Sequence, residues 1–374
     1  MRGDGGSPPV GTFSALWRRG EPVVVANAHA RLRLDWTPHA FLRTFGPEPV
    51  EMIDCCESGC LVKSLTLAHF FRGYLLASCR PRVRGSGATQ MLKLKDWPPK
   101  IHFRSKMPAY FADLMAALPF PEYTRHDGAL NLASYLPATA LVPDLGPKLY
   151  TGYGERRIWS ASDYTKGGHT CLHCDVADAF NLLVHVSNPE GPPSVEDPSL
   201  WDDQLGSLAE AEGAVWDIFR YQDLDTISAF LREHARRSGR TVSPHPVHDQ
   251  AVYLDESMRR ELSDRYGVRG WHFVQKLGDL VFIPAGCAHQ VRNLSCCIKV
   301  AMDFVSPENV ERCFRLTEEF RELPHGHAAK EDKLQVKAMV RHAAEAALAD
   351  LGGSSAPARA PVSATVAGSQ RAHW

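Results

Sequence analysis

The sequence predicts a mainly β fold, closed or sandwiched, with helices flanking the strands. Two observations lead to this prediction. Hydrophobic residues make up 44% of the 374 residues and charged residues 23%, an ordinary globular composition that can fill a large core. Beyond residue 168, short apolar runs alternate with Gly and Pro turns, a pattern typical of barrels and two-layered sheets. The predicted strands are 179–186, 214–219, 270–275, 279–284, 289–293 and 296–304.

Helical signals lie on both sides of these strands. Residues 13–17 predict a short helix before a buried strand at 21–25. The Ser-Pro-Glu run at 306–308 predicts another helix start, with the serine as N-cap and the proline at the first helical position. A last helix is predicted from about 331 to 351, because apolar residues recur there at helical spacing.

These elements divide the chain into successive parts. Both chain ends are rich in Gly, Ser, Ala and Pro without an apolar face, so we expect them to be disordered. Two segments of the core, near 188–213 and 233–250, are rich in turn-forming residues and read as insertions. The predicted division is a disordered tail (1–10), an N-terminal α+β part packing on the barrel (11–167), the β core (168–305), C-terminal helices (306–351) and a second tail (352–374).

Charge, hydropathy and cysteine usage exclude several classes of protein. The formal net charge of −1 gives no strong signal for direct nucleic-acid binding. No run of 18 apolar residues predicts a membrane span, and the first residues lack the apolar core of a signal peptide, so we expect an intracellular protein. Cysteines are adjacent at 55–56 and 296–297, which favours free thiols over a disulfide framework. Cys171 and Cys174 resemble half of a zinc site but have no second pair.

The chemistry-bearing residues fall into two motifs. The first contains His173 and Asp175, which share one face of a strand and lie about 6.5–7 Å apart along it. The second runs from Gly278 through a Pro-Ala-Gly turn to His289 and Asn293. A closed barrel can bring His289 opposite the first pair, despite the long separation in sequence. Two imidazoles and one carboxylate on one face leave three octahedral positions open, which is the arrangement of non-haem Fe(II) oxygenases.

Several segments around these motifs carry a family resemblance. Residues 172–181, 266–271, 281–286 and 297–308 resemble a JmjC domain, within the double-stranded β-helix (jelly-roll, cupin-like) superfamily. They fit best the branch of JmjC histone demethylases that act on lysine 9 of histone H3, which includes Hairless. Upstream, residues 93–99, 121–124 and 130–134 are similar to the same branch. The resemblance covers residues 12 to 350, nearly the whole chain.

The resemblance implies a ligand set and a cosubstrate site. By position, His173, Asp175 and His289 become the Fe(II) ligands, with 2-oxoglutarate and O₂ as cosubstrates. Lys299 is the candidate partner of the distal 2-oxoglutarate carboxylate, because strand alternation points it inward among apolar neighbours. An unpaired buried ammonium is costly, and a dicarboxylate would relieve that cost. The alternative is a lysine that extends to solvent. Thr170 and Asn181 match family positions that hydrogen-bond the cosubstrate.

The implied activity is removal of methyl groups from mono- or dimethylated lysine 9 of histone H3 in the nucleus, with release of formaldehyde and succinate. The histone H3 tail is then the main partner, and nuclear receptors or other transcription factors are open alternatives. Pairing of two chains through the C-terminal helices also stays open. Two other functions remain: a JmjC-fold transcriptional corepressor scaffold with weak or no catalysis, and a protein hydroxylase using the same iron site.

Three residues depart from the family pattern. Cys174 stands where relatives carry leucine, His185 where they carry tyrosine, and Met302 where they carry an acid. None of them removes a ligand. We expect each to influence turnover or the methyl-lysine pocket, and these departures motivate the scaffold alternative and the comparison with Hairless.

Overall fold

The fold was analysed in a computed structural model of the 374-residue chain. The structure describes residues 9–55, 60–83, 85–137, 139–140, 143–154, 168–188, 212–241, 243–327 and 330–352. Most of the predicted insertion at 188–213 and most of both predicted tails lie outside the described residues. Among the helices of the described part, none is long and apolar enough to cross a bilayer.

The described strands and helices alternate along the chain. The strands are β1 (Val23–Val25), β2 (Pro49–Asp54), β3 (Cys60–Thr66), β4 (Leu92–Trp97), β5 (Lys148–Gly152), β6 (His169–His173), β7 (Asp178–Ser187), β8 (Glu212–Ile218), β9 (Trp271–Lys276), β10 (Leu280–Ile283), β11 (His289–Asn293) and β12 (Cys296–Phe304). The helices are α1 (Val10–Arg18), α2 (Pro38–Phe45), α3 (Leu67–Leu75), α4 (Phe103–Lys106), α5 (Pro108–Ala117), α6 (Pro121–Thr124), α7 (Leu224–Arg237), α8 (Glu256–Tyr266), α9 (Val310–Arg321) and α10 (Val336–Leu351).

Two antiparallel sheets form the body of the domain. The larger has the order β1-β10-β7-β12-β5-β4-β2-β3, and the smaller has the order β6-β11-β8-β9. Strands distant in sequence are neighbours, as in a jelly roll, so the predicted fold class is confirmed. Strands β1 to β5 continue the sheet that contains β7, β10 and β12, so the N-terminal part shares a sheet with the core. The domain boundaries themselves stay a prediction.

Side chains of the larger sheet point to both of its faces and pack in two different layers. Along β12, Ile298, Val300 and Met302 join a large apolar core outside the sheet, together with Phe13 and Trp17 of α1. Because successive residues of a strand point to opposite faces, the residues between them, Lys299 among them, face the space between the two sheets. That interior is where the candidate site lies.

The strands match their predicted ranges to within two residues, whereas three helix starts do not. The first helix, α1, begins at Val10, three residues before its predicted start. The prediction that Ser306 caps a helix is wrong: α9 begins at Val310 and has no side-chain cap. The Ser306 hydroxyl instead donates to the buried carboxylate of Asp178, at 2.6 Å, so it is not available to the helix. The last helix begins at Val336 rather than near 331, and Gln335 precedes it in a left-handed conformation.

Candidate metal centre

Pairing of β6 with β11 brings the two predicted histidine ligands together. His173 is directly opposite His289 in this antiparallel pair, and the ring centroids are 4.3 Å apart. Opposite residues of antiparallel strands are the nearest side-chain neighbours in a sheet, so the contact follows from the register. Strand pairing therefore brings together two motifs that lie far apart in the sequence.

Asp175 completes the group just beyond the end of β6. Its Oδ2 lies 3.7 Å from His289 Nε2, and its backbone carbonyl accepts a hydrogen bond from the Gly286 N–H at 2.9 Å. Ligand atoms of His173, Asp175 and His289 all lie within 4.8 Å of one another, the only such group in the described part of the chain. The structure thus brings the three predicted ligands to one point.

Hydrogen bonds fix both imidazoles in the orientation that a metal needs. His173 Nδ1 lies 2.8 Å from the carbonyl oxygen of Cys171, and His289 Nδ1 lies 3.0 Å from that of Cys287. A carbonyl only accepts, so each Nδ1 is the protonated donor. Each Nε2 then carries a free lone pair, which is the arrangement found in metal-binding histidines.

The electrostatics also suit a metal. Burial, reinforced by the neighbouring His289, lowers the pKa of His173 to about 4, so its imidazole is neutral near pH 7. His289 is buried, but the Asp175 side chain is 40% exposed, so the group is open on one side. Three protein ligands with an open side fit Fe(II), whereas structural zinc wants four ligands. The donor set therefore fits the metal that the sequence predicts.

A turn with a glycine requirement positions His289. Gly286 follows Pro284 and Ala285 at a φ of +76°, which favours glycine, and a Cβ there would lie 2.5 Å from the Tyr221 ring. The N–H of Ala285 donates to the Asp178 carboxylate at 2.9 Å. This bond ties the turn to the start of β7, close to Asp175. Sequence reasoning missed Asp178, because its partners Ala285, Ser306 and Asn309 lie more than 100 residues further along the chain.

Lys299 lies inside the barrel and not at its surface. Its side chain is buried, its Nζ donates to Asn293 Oδ1 at 2.8 Å, and it lies 6.0 Å from the centre of the Trp216 ring. The same Trp216 ring stacks on His289 with centroids 5.9 Å apart. Burial lowers the pKa of Lys299. Trp216 therefore lies between the lysine and a candidate metal ligand.

Thr170 shares the interior face with His173 because of a bulge. His173 is opposite His289 while Thr170 is opposite Val291, so three residues of β6 face two of β11. Without this bulge, residues three apart would point to opposite faces. Val291 belongs to the apolar cluster between the sheets, which places Thr170 on that side.

Asn181 lies on β7 near the same interior. Gln275 Nε2 donates to the backbone oxygen of Asn181 at 3.1 Å and reaches its side-chain oxygen at 3.5 Å. Gln275 in turn accepts a hydrogen bond from the indole N–H of Trp216 at 2.9 Å. Gln275 thus links Asn181 to Trp216, the residue that lies between Lys299 and His289. Gln275 and Trp216 are further interior residues that sequence reasoning missed.

The three departures from the family pattern point away from the metal group. Met302 packs in the apolar core outside the larger sheet. The His185 Nδ1 lies 2.9 Å from the Tyr74 hydroxyl of α3, on that same outer side. Cys174 is buried in a different outer cluster, with its sulfur 3.7 Å from His248 Nδ1. The expectation that they alter the site is therefore not supported by direct contact.

Comparison with known proteins gives one family and several relatives. A family model described as "JmjC domain, hydroxylase" matches residues 205–304. Lysine-specific demethylase 3A of Gallus gallus is 45% identical over 350 residues, which is 90% of this chain and 26% of the relative. The human protein of that name is 43% identical over 91% of this chain and 26% of its own length. Lysine-specific demethylase 3 of Drosophila melanogaster is 42% identical over 88% of this chain and 40% of its own length. The chain thus spans well under half the length of these curated relatives.

Proposed function

We propose that this chain, as a member of the JmjC-domain family, is an Fe(II)- and 2-oxoglutarate-dependent histone lysine demethylase. The observation that carries the proposal is the convergence of His173, Asp175 and His289 within 4.8 Å. The names of the relatives support lysine demethylation over other reactions of the same iron site.

The proposed ligands are His173 and His289 through Nε2, together with one oxygen of Asp175. The Fe(II) ion bound there would supply the activation of O₂ by which an N-methyl group is oxidised, with 2-oxoglutarate converted to succinate and CO₂ and the methyl carbon lost as formaldehyde. The hydrogen bonds at Nδ1 of both histidines hold the rings in the orientation that binds metal through Nε2. This preorganisation reduces the cost of assembling the centre.

Lys299 is the proposed anchor of the 2-oxoglutarate distal carboxylate. Among the described residues, its ammonium donates only to the neutral Asn293 amide, so its charge is not neutralised there. A carboxylate arriving at Nζ would supply the missing negative charge in a site of low dielectric constant. Thr170 and Asn181 are proposed to hydrogen-bond the cosubstrate on the same interior side. Trp216 is buried and its ring contacts both Lys299 and His289.

The finer parts of the proposal concern substrate and location. We propose mono- or dimethylated lysine 9 of the histone H3 tail as the substrate and the nucleus as the location. The relatives are named lysine-specific demethylases, and the sequence motifs resemble the branch of JmjC demethylases that act on this lysine. The relatives compared above carry the name demethylase 3 and not Hairless, so the proposal is placed with them. The proposal does not include nuclear receptors as partners or the pairing of two chains.

The experiment is release of formaldehyde and succinate from a dimethylated histone H3 peptide, with the wild type and with His289→Ala. Demethylation requires a peptide product that has lost a methyl group, whereas the hydroxylase alternative predicts a product that has gained an oxygen. The scaffold alternative predicts no product of either kind. Activity that survives in His289→Ala would remove the metal assignment.

A further inference from the structure

Gln275 of β9 is a fully buried amide inside the barrel, and both of its side-chain polar atoms have partners. Its Oε1 accepts a hydrogen bond from the indole N–H of Trp216 at 2.9 Å. Its Nε2 donates to the backbone oxygens of Asp279 at 3.0 Å and of Asn181 at 3.1 Å. The same Nε2 lies 3.5 Å from the side-chain oxygen of Asn181. A buried amide with partners on both atoms is held in one orientation.

The chemistry of Trp216 decides which orientation this is. An indole N–H can only donate, so the Gln275 atom that faces it is the oxygen. The nitrogen of Gln275 must then face Asn181, and its N–H groups attract an oxygen. The Asn181 amide is therefore held with Oδ1 towards Gln275 and with Nδ2 turned away from it.

The Nδ2 of Asn181 has a donor to offer in the interior. Asn181 is half-buried, and none of the residues that the structure describes accepts a hydrogen bond from its Nδ2. In the pairing of β7 with β12, Asn181 is opposite Ala301, whereas Lys299 is opposite Leu183. Asn181 thus lies about 6.5–7 Å along the strand from Lys299, towards the end of β7 that Asp175 precedes. A molecule that extends from Lys299 to the metal ligands passes this donor.

We propose that Gln275 is a positioning residue of the 2-oxoglutarate site, which holds the Asn181 amide so that an N–H and not an oxygen faces the cosubstrate. This inference rests on the proposed function and adds a residue that acts through Asn181. The carboxylates of 2-oxoglutarate only accept hydrogen bonds, so an N–H attracts them and an amide oxygen repels them. Because Gln275 orients the amide before the cosubstrate binds, less free energy is spent on ordering Asn181 during binding.

The test is binding of 2-oxoglutarate to protein loaded with Mn(II), measured by isothermal titration calorimetry without turnover. Gln275→Met keeps a similar volume but removes the amide, and we expect it to weaken binding about tenfold. Asn181→Ala should weaken binding to a similar extent. When Asn181→Ala is already present, adding Gln275→Met should weaken binding by less than about twofold. A further loss of about tenfold in the double variant would overturn the inference, because the two residues would then act independently.

A second variant, Gln275→Glu, tests the orientation itself and serves if Gln275→Met does not fold. Its carboxylate keeps the shape of the side chain and still accepts from the Trp216 N–H, but it has no N–H for Asn181 when ionised. The Asn181 amide should then turn its Nδ2 towards this carboxylate and present its oxygen to the cosubstrate. We expect the affinity for 2-oxoglutarate to fall at least about tenfold. An affinity within about twofold of the wild type in either Gln275 variant would overturn the inference.

Matched controls separate positioning from a general loosening of the barrel. Thr170 of β6 shares no hydrogen bond with Gln275, so Thr170→Val and Gln275→Met should weaken binding additively. Gln90→Met removes another glutamine amide, whose Nε2 donates to Asp54 at 3.0 Å, and should leave the affinity within about twofold of the wild type. Wild-type protein that binds Mn(II) but no 2-oxoglutarate would contradict the proposed function itself, so failure of one is distinguishable from failure of the other.

Discussion

Asp178 accepts two hydrogen bonds from Ser306, one from its backbone N–H at 2.9 Å and one from its hydroxyl at 2.6 Å. The same carboxylate accepts from the Ala285 N–H at 2.9 Å and from the Asn309 side chain at 2.8 Å. Trp17 of α1 donates to the Ser306 hydroxyl at 3.0 Å. One fully buried carboxylate therefore joins the start of β7, the turn before His289 and the segment before α9.

Loss of this carboxylate should destabilise the fold. We expect Asp178→Ala to lower the free energy of unfolding by about 3–5 kcal/mol, because several buried donors would lose their acceptor. Urea unfolding followed by circular dichroism measures the change. Asp127→Ala is the matched control, since Asp127 pairs with Arg125 at an exposed position and should cost less than about 1 kcal/mol. Equal effects of the two variants would contradict the central role of Asp178.

Removal of one imidazole should weaken metal binding strongly without unfolding the chain. We expect His289→Ala to weaken Fe(II) binding at least about 100-fold. Mutation of a residue that only hydrogen-bonds a metal ligand already lowers metal affinity about 10–100-fold. Equilibrium binding of Fe(II) or of Mn(II), under anaerobic conditions, gives the measurement. His342→Ala on α10 is the control, because its Nδ1 contacts only Glu345 on the surface of that helix. Unchanged metal affinity in His289→Ala would show that the ion binds elsewhere.

The sequence was sufficient where the signals were local. Strand alternation and turn residues predicted β7 and β10 to β12 to within two residues, and spacing within each motif predicted His173, Asp175 and His289 as one group. Ser306 shows where local signals are misleading. Its sequence context is that of an N-cap, but the carboxylate that binds its hydroxyl is 128 residues away.

Bulges and interior partners could not be predicted from the sequence. Thr170 faces the site only because β6 has an extra residue opposite β11, and no residue type in that strand signals a bulge. Trp216 and Asn293 gain their roles through contact with Lys299. Those contacts depend on which strands become neighbours across the barrel, and the sequence pattern of one strand does not contain that information.

The half-buried histidine His185 should make stability depend on pH. Burial, with a further effect of His39, lowers its pKa to about 4, whereas a histidine in the unfolded chain has a pKa of about 6.5. Between these values the unfolded chain binds a proton that the folded chain does not, so stability falls as the pH decreases through this window. His185→Phe should therefore reduce the loss of stability between pH 7 and pH 5 by about 2 kcal/mol.

Urea unfolding at the two pH values tests this expectation. The Tyr74 hydroxyl keeps its bond to the Cys296 carbonyl in the variant, so Tyr74 is not left unpaired. Leu61→Phe, at a position 41% exposed, removes no titratable group, so it is the control and should leave the pH dependence as it is in the wild type. A pH dependence that is the same in His185→Phe and the wild type would contradict the prediction.

Lys299→Met should weaken cosubstrate binding selectively. Methionine fills a similar volume without an ammonium, so the fold should keep its stability, while the 2-oxoglutarate carboxylate loses its charged partner. We expect the KM for 2-oxoglutarate to rise about 10–100-fold, because this is the loss of affinity that removal of one charge-assisted hydrogen bond produces. Lys63→Met is the control, because Lys63 lies on the surface beside Glu51. An unchanged KM in Lys299→Met would assign the carboxylate to another residue.

The departure from the family pattern at Cys174 should have little influence on catalysis. The side chain lies between two candidate ligands in sequence but points into the cluster that contains His248, Leu172 and Phe320. Cys174→Leu enlarges this side chain in a packed environment, so we expect a loss of stability of about 1–3 kcal/mol. Turnover of a methylated peptide should change by less than about threefold, since the metal and cosubstrate positions are untouched. Thermal unfolding and kcat/KM separate the two effects. A gain in turnover of more than about tenfold would mean that Cys174 suppresses catalysis and would favour the scaffold alternative.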